Sequence, residues 1–176
     1  MGRLHLLLFR HAHAERDAAS GRDEDRELTG RGRRDARRVG RFLTAVDLVP
    51  DAILTSPAAR ARATAEPALE AGGWGSTLRE LSSLYGSTVD GAIDVLRRNG
   101  RNHRTLLLVG HEPTLSELTA ALAGGGSVRL AKAAVAQLAF DLDDWTRLRP
   151  GTGVLRALIT PSLLIGATST AGGDAE

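Results

Sequence analysis

The chain has 176 residues, of which 42% are hydrophobic and 25% charged, and its formal net charge is +2. This length and composition are typical of one globular domain with a core of its own. The absence of cysteine excludes disulfide bonds and thiolate metal sites. The basic side chains are nearly all arginine, since Lys132 is the only lysine. A compositional bias of the genome is the simplest explanation of that skew.

No run approaches the 18 apolar residues that a membrane-spanning helix needs. The apolar run 4–9 contains His5 and stops at Arg10, so it is shorter than the apolar region of a usual signal peptide. We therefore interpret this run as the first strand of a cytoplasmic protein without a membrane partner.

The hydrophobic pattern predicts strands that alternate with helices. The predicted strands are 4–9, 51–55, 77–81, 105–109, 135–142 and 154–160, and the predicted helices are 28–46, one that starts at Ser56, 89–98 and 113–122. Thr29 is a suitable N-cap, and Ser56-Pro57 has the favoured order of N-cap and first-turn proline. We expect the last two strands to form an antiparallel edge.

This alternation predicts an α/β fold with three layers, α/β/α, around a mostly parallel central sheet. The strands and helices from the first run to the last extend over residues 1–161, with no linker or repeat between them. We expect a single domain there. Residues 162–176 are small and polar, so we expect a flexible C-terminal tail.

Two of the predicted strands run directly into histidine, at His11 and at His111. Ligands of open α/β sheets bind beyond the carboxyl ends of the strands, so we expect both imidazoles at one edge, with Arg10 beside them. Arg60 lies in the first turn of a predicted helix, where free N–H groups favour an anion. Two guanidinium groups and two imidazoles can surround a phosphoryl group, and a neutral imidazole can attack phosphorus.

Four ordered motifs resemble the histidine phosphatase superfamily, which has the phosphoglycerate-mutase-like fold. They are Arg10-His11-Ala12, Leu-Thr-x-x-Gly at 28–32, Ser-Pro-x-x-Arg-Ala at 56–61 and Gly-His-x-Pro at 110–113. The resemblance extends over roughly residues 3–160. The chain is most similar to the small bacterial phosphohistidine phosphatases.

The resemblance implies a role for each motif residue. His11 would be the nucleophile that becomes phosphorylated, and Arg10 and Arg60 would bind the phosphoryl oxygens. His111 would donate a hydrogen bond to the same group. The resemblance implies no cofactor and no metal, because the arginines and His111 supply the positive charge.

The proton donor for the leaving group is the least defined part of the site. Many members of the family use an acidic residue shortly after the third strand, and Glu80 stands at that place. In small members that act on phosphohistidine, this acid can be absent or displaced. Asp17 and Glu15, in the loop after His11, are weaker candidates.

Only residues 81–104 separate the third strand from the strand before His111, so there is no room for a large cap insertion. An open site of this kind suits a phosphoryl group on a protein surface. By analogy with the family, we expect a phosphatase that acts on phosphohistidine proteins. A small-molecule phosphomonoesterase, acting on a nucleotide or sugar phosphate, and a non-catalytic phosphate-binding module are the alternatives.

Other charged residues suggest roles that we consider weaker. His13 follows His11 by two residues, as in some metal sites, but Asp51 begins a strand instead of ending one, which disfavours a metal centre. Arg62 is expected to be a solvated helix residue. The arginines at 34, 38 and 41 form a helix face whose charge is offset by Asp35 and the acidic residues 23–25, so we expect no nucleic-acid partner. We also expect the protein to be a monomer.

Overall fold

The structure, a computed structural model, describes residues 3–167, with no side-chain description for Arg3, Gly166 and Ala167. Six strands form one sheet in the order β3-β2-β4-β1-β5-β6. The strands are β1 Arg3–Arg10, β2 Ala52–Thr55, β3 Thr77–Glu80, β4 Thr105–Gly110, β5 Val135–Asp141 and β6 Gly153–Ile159. The first four are parallel, whereas β5 and β6 are antiparallel to their neighbours. Both the mostly parallel sheet and its antiparallel edge are as predicted.

Among residues 3–167, five α-helices lie on the two faces of the sheet. They are α1 Gly30–Ala45, α2 Ala59–Gly72, α3 Val89–Asn99, α4 Thr114–Leu122 and α5 Pro161–Ala167. The apolar side chains of α1 and α2 share one buried cluster with one face of the sheet, and those of α3 and α4 share another with the opposite face. The α/β/α fold class is therefore confirmed, without a large insertion before β4.

The alternation of side chains along β1 explains the two cores. Leu6 and Leu8 pack into the cluster of α3 and α4, whereas Leu7 and Phe9 pack into that of α1 and α2. Successive side chains of a strand point to opposite faces, so a strand covered by helices on both sides must be apolar throughout. This burial holds the end of β1, and with it His11, at a fixed place.

The Leu-Thr-x-x-Gly motif attaches the loop after β1 to the first turn of α1. Thr29 caps the helix by accepting from the Gly32 N–H, and its hydroxyl donates to the carbonyl of His13. A Cβ at position 32 would overlap the same carbonyl group, so only glycine permits this approach. The motif thus determines the path of the chain directly after His11.

Two boundaries differ from the expectations. Helix α2 begins at Ala59 with Ala58 as N-cap, so the expected start at Ser56-Pro57 is wrong, because Ala58 still has a ψ of 134° and its carbonyl is the one that accepts from the Arg62 N–H. Residues 161–167, at the start of the expected tail, form α5, in which Leu164 is buried against the cluster of α1. Residues 168–176 lie outside the described residues.

Within residues 3–167, the helices are all too short or too polar to cross a membrane.

Candidate active site

Three neighbouring parallel strands end at the same edge of the sheet. In the register, Arg10 of β1 pairs with Gly110 of β4, and Thr55 of β2 pairs with Val109. The hydrogen bonds continue one residue further, from the His11 N–H to the Gly110 carbonyl at 3.0 Å and from the Ser56 N–H to the Val109 carbonyl at 3.1 Å. The residues that follow each strand are therefore brought together by the sheet itself.

The imidazole of His11 is buried and has one nitrogen available for chemistry. Its Nδ1 lies 2.9 Å from the carbonyl oxygen of Ala12. A carbonyl can only accept, so the imidazole proton is on Nδ1 and the lone pair is on Nε2. Burial lowers the pKa of His11 to about 3; the hydrogen bond to Ala12 opposes this shift, and the charges of His111, Arg60 and Arg10 add to it. The ring is thus a neutral nucleophile at physiological pH.

The second imidazole lies against the first, with ring centroids of His11 and His111 5.3 Å apart. Nε2 of His111 is 2.8 Å from the hydroxyl of Ser56, and that hydroxyl also accepts from the Ala58 N–H. We assign the hydroxyl proton of Ser56 to the bond with Nε2, which places the imidazole proton of His111 on Nδ1. Burial, followed by the charge of Arg60, lowers the pKa of His111 to about 4. In this tautomer Nδ1 of His111 is a donor.

Hydrogen bonds to neighbouring segments orient the two arginine side chains of the site. Arg60 is 5% exposed, and its two terminal nitrogens donate to the carbonyl and the carboxylate of Asp23 at 2.6 and 2.8 Å. Arg10 donates from Nη1 to the carbonyl of Leu130 at 2.7 Å. These bonds fix the orientation of each guanidinium group and leave its Nε–H for another acceptor.

Three buried nitrogens at this edge have no hydrogen-bond partner among the described residues: Nε of Arg10, Nε of Arg60 and Nδ1 of His111. A buried donor without a partner costs about 1–3 kcal/mol. Arg10, Arg60 and His111 all act electrostatically on His11, so the unpaired donors belong to its surroundings. The arrangement is suited to bind an anion with several oxygens next to a nucleophilic imidazole.

The sequence analysis missed two residues of the site, Asp23 and Tyr85. Burial would raise the pKa of Asp23, but the hydrogen bond and charge of Arg60 hold this pKa below its ordinary value. Tyr85 donates to the Asp23 carboxylate at 3.2 Å, and its ring stands edge-on to that of His111, with centroids 5.7 Å apart. The sequence predicts only that the acidic residues 23–25 offset the charge of the arginine-rich helix face. Asp23 and Arg60 are 37 positions apart, so no local pattern indicates that they pair.

The structure does not bring Glu80 into contact with the imidazoles. Its exposed carboxylate lies 3.5 Å from Nη1 of Arg62, itself an exposed side chain as predicted. Glu15 and Asp17 are also exposed, in the loop that follows β1. None of these three carboxylates has a hydrogen bond to His11 or His111 in the described part of the chain.

His13 lies on the other side of the loop, where its Nδ1 is 3.2 Å from the hydroxyl of Thr29. Within the described range 3–167, no group of three or more histidine, aspartate or glutamate side chains is arranged to hold a metal ion. The positive charge next to His11 comes from the two arginines.

Comparisons with known proteins agree with this geometry. The family model of the histidine phosphatase superfamily (branch 1) matches residues 6–85. An uncharacterized protein of Mycobacterium tuberculosis is 42% identical over 115 residues, which are 65% of this chain and 68% of that protein. The chain belongs to the histidine phosphatase superfamily.

Two solved structures are similar over nearly their whole length. A candidate phosphohistidine phosphatase SixA from Nakamurella multipartitia is 29% identical with a TM-score of 0.80, and the match covers 92% of this chain and 98% of that chain. The protein histidine phosphatase SixA in complex with tungstate is 24% identical with a TM-score of 0.79, covering 92% and 99%. The second likeness concerns the fold alone.

Proposed function

We propose that this protein is a phosphatase that works through a phosphohistidine on His11. In the first step, Nε2 of His11 attacks the phosphorus atom of the substrate, and the bond to the leaving group breaks. In the second step, water attacks the phosphoryl group on His11 and releases inorganic phosphate. Arg10, Arg60 and His111 bind the phosphoryl oxygens throughout, where charge accumulates in the transition state.

The observation that supports this proposal most directly is the set of three unpaired buried donors, Nε of Arg10, Nε of Arg60 and Nδ1 of His111. A phosphoryl group has the tetrahedral oxygens to pair with all of them. The lowered pKa of His11 keeps its Nε2 unprotonated, so the nucleophile requires no general base.

We propose further that the reaction needs no metal ion. The two guanidinium groups supply the charge that metal ions supply in other phosphoryl-transfer enzymes. The preferred substrate would be a phosphohistidine on a protein surface. This is supported by the short segment between β3 and β4 and by the 29% identity to a candidate phosphohistidine phosphatase.

We place the whole machinery in one domain, residues 1–161, because a single sheet joins β1 to β6. A monomer in the cytoplasm would suit an open site that receives phosphorylated proteins. Light scattering on the purified protein tests the monomer.

The test is hydrolysis of p-nitrophenyl phosphate in the presence of EDTA, followed by the same assay on His11→Ala. We expect turnover that survives EDTA and is lost in the variant. A phosphoenzyme should also be trapped when the reaction is stopped in alkali, and its label should map to His11.

Each other outcome contradicts part of the proposal. Activity that returns only with added divalent metal would exclude the metal-free reaction. Binding of inorganic phosphate without turnover would identify a phosphate-binding module. A preference for phosphohistidine proteins of less than about tenfold in kcat/KM over small phosphate esters would contradict the proposed substrate.

A further inference from the structure

A cavity of about 330 Å³ adjoins His111 on the side of α3 and α4. Its apolar lining comes from six side chains, Leu84, Val89, Ala92, Leu108, Pro113 and Leu115. Gly110, His111 and Glu112 line it where β4 ends. The cavity thus shares His111 with the proposed phosphoryl site and has a largely apolar surface next to it.

Two carboxylates contribute to this lining, that of Glu112 directly after His111 and that of Glu117, which is exposed to solvent. Oε2 of Glu112 accepts a hydrogen bond from Ser116, while its Oε1 is buried and has no partner within residues 3–167. A buried carboxylate oxygen without a donor is unfavourable, by the same reasoning as for the unpaired nitrogens. The cavity is therefore mainly apolar with one unsatisfied, negatively charged acceptor.

The position of this carboxylate is coupled to the phosphoryl site. Ser116 accepts from the Leu130 N–H at 2.9 Å, and the Leu130 carbonyl accepts from Nη1 of Arg10 at 2.7 Å. Glu112, Ser116, Leu130 and Arg10 thus form one hydrogen-bonded chain. A carboxylate held in this way is oriented before a substrate arrives, which favours a specific contact over a general attraction.

We propose that this cavity binds the leaving group, and that Glu112 accepts a hydrogen bond from the ring N–H of a phosphorylated imidazole. The inference rests on the proposed function and extends it to the other side of the bond that breaks. A flat ring fills an apolar cavity, and its nitrogen that carries no phosphorus supplies the donor that Oε1 lacks.

The chemistry balances without a separate acid. In the protonated substrate, phosphorus is on one ring nitrogen and a proton is on the other, the one that faces Glu112. Nε2 of His11 forms its bond to phosphorus as the substrate P–N bond breaks, and that electron pair returns to the substrate nitrogen. The substrate ring leaves neutral, and the positive charge passes to the His11 ring, whose Nδ1–H donates to Ala12.

The phosphoryl group passes from one imidazole to another, and this gives a physical reason for a preference for phosphohistidine over oxygen esters. An alkoxide leaving group requires a proton, which a carboxylate that acts as an acceptor, as we propose for Glu112, does not supply. An imidazole leaves without it. An oxygen ester would also leave Oε1 of Glu112 unpaired in the cavity, whereas the protonated ring satisfies it.

The experiment compares kcat/KM for N-phosphoimidazole with kcat/KM for p-nitrophenyl phosphate in the wild type, Glu112→Gln and Glu66→Gln. Glu66 provides the matched control, because it is an exposed carboxylate on α2 that does not line the cavity. We expect the ratio of the two constants to fall at least tenfold in Glu112→Gln and to change less than twofold in Glu66→Gln. Ser116→Ala should also lower this ratio, but less than Glu112→Gln does, because it removes the hydrogen bond that orients the Glu112 carboxylate.

Inhibition by imidazole at pH 6 provides a second measurement that requires no turnover of the phosphoramidate. We expect imidazole to compete with p-nitrophenyl phosphate and its inhibition constant to rise at least tenfold in Glu112→Gln. An unchanged ratio together with unchanged inhibition would overturn the assignment, as would equal losses on both substrates. If the wild type hydrolyses neither compound, or if His11→Ala stays active, it is the proposed function that fails.

Discussion

The two ends of the central parallel strands carry similar residues in different surroundings. At the amino ends, Arg101, His103 and Arg104 line a cavity of about 390 Å³ together with two aspartates. The two arginine side chains are exposed there, and the backbone N–H of Arg104 binds the carboxylate of Asp51. At the carboxyl ends, two arginines and two histidines are wholly or partly buried, and three of them, Arg10, Arg60 and His111, retain an unpaired nitrogen. Burial without a partner, and not basic composition, distinguishes the candidate site.

The largest expected effect is the loss of activity when the nucleophile at the carboxyl ends is removed. The matched control removes a histidine at the amino ends. His11→Ala should lower kcat for p-nitrophenyl phosphate at least about a thousandfold, because no bond to phosphorus can form. His103→Ala should stay within about twofold of the wild type. A comparable loss in both variants, measured on proteins with unchanged circular dichroism, would refute the distinction between the two ends.

The next effect concerns the guanidinium geometry. Arg60→Lys keeps the charge but loses the donor fork that is held by Asp23, so kcat/KM should fall about a hundredfold. Arg101→Lys makes the same chemical change at the amino ends and should have no measurable effect. Steady-state kinetics on the two variants measures the comparison, and a mild Arg60→Lys would show that charge alone is sufficient.

The depressed pKa of His11 also predicts how stability depends on pH. The unfolded chain binds a proton on this residue near pH 6.5, whereas the folded chain resists protonation until about pH 3. The stabilisation is therefore complete above about pH 6.5 and is lost progressively as the pH falls. Urea unfolding should show that His11→Ala loses about 1 kcal/mol less than the wild type between pH 7.5 and 5.5.

NMR titration gives the matching measurement on individual side chains. The imidazole signals of His11 and His111 should remain in the neutral form at pH 5.5. Protonation of His11 close to pH 6.5 would mean that its ring is more solvated than the structure indicates.

The smallest expected effect is that of Glu80→Gln. Its carboxylate is exposed and lies near Arg62, so we expect kcat/KM for p-nitrophenyl phosphate to change less than about threefold. A hundredfold loss would restore Glu80 as the proton donor that the family resemblance implies. The same assay on Glu66→Gln, a second exposed neighbour of Arg62, provides the control.

Most of the sheet could be predicted because each buried strand is a short apolar run with a clear end. The runs before His11 and His111 predict both strands and the edge at which the two histidines lie. The start of α2 was predicted wrongly, because Ser56-Pro57 has the sequence of a helix start, whereas in the fold the backbone becomes helical only after Ala58. Helix α5 was missed because seven residues carry too little periodicity to identify a helix.

The amino-acid sequence by itself determined the order of strands and helices and the motif residues that follow them, because local hydrophobic pattern and turn chemistry depend on near neighbours. Only the tertiary structure decided which charges are paired, through contacts between distant segments. Asp23 reaches Arg60 across 37 positions, and Tyr85 reaches Asp23 across 62. The burial that lowers the pKa of His11 likewise arises only when both helical layers cover the sheet.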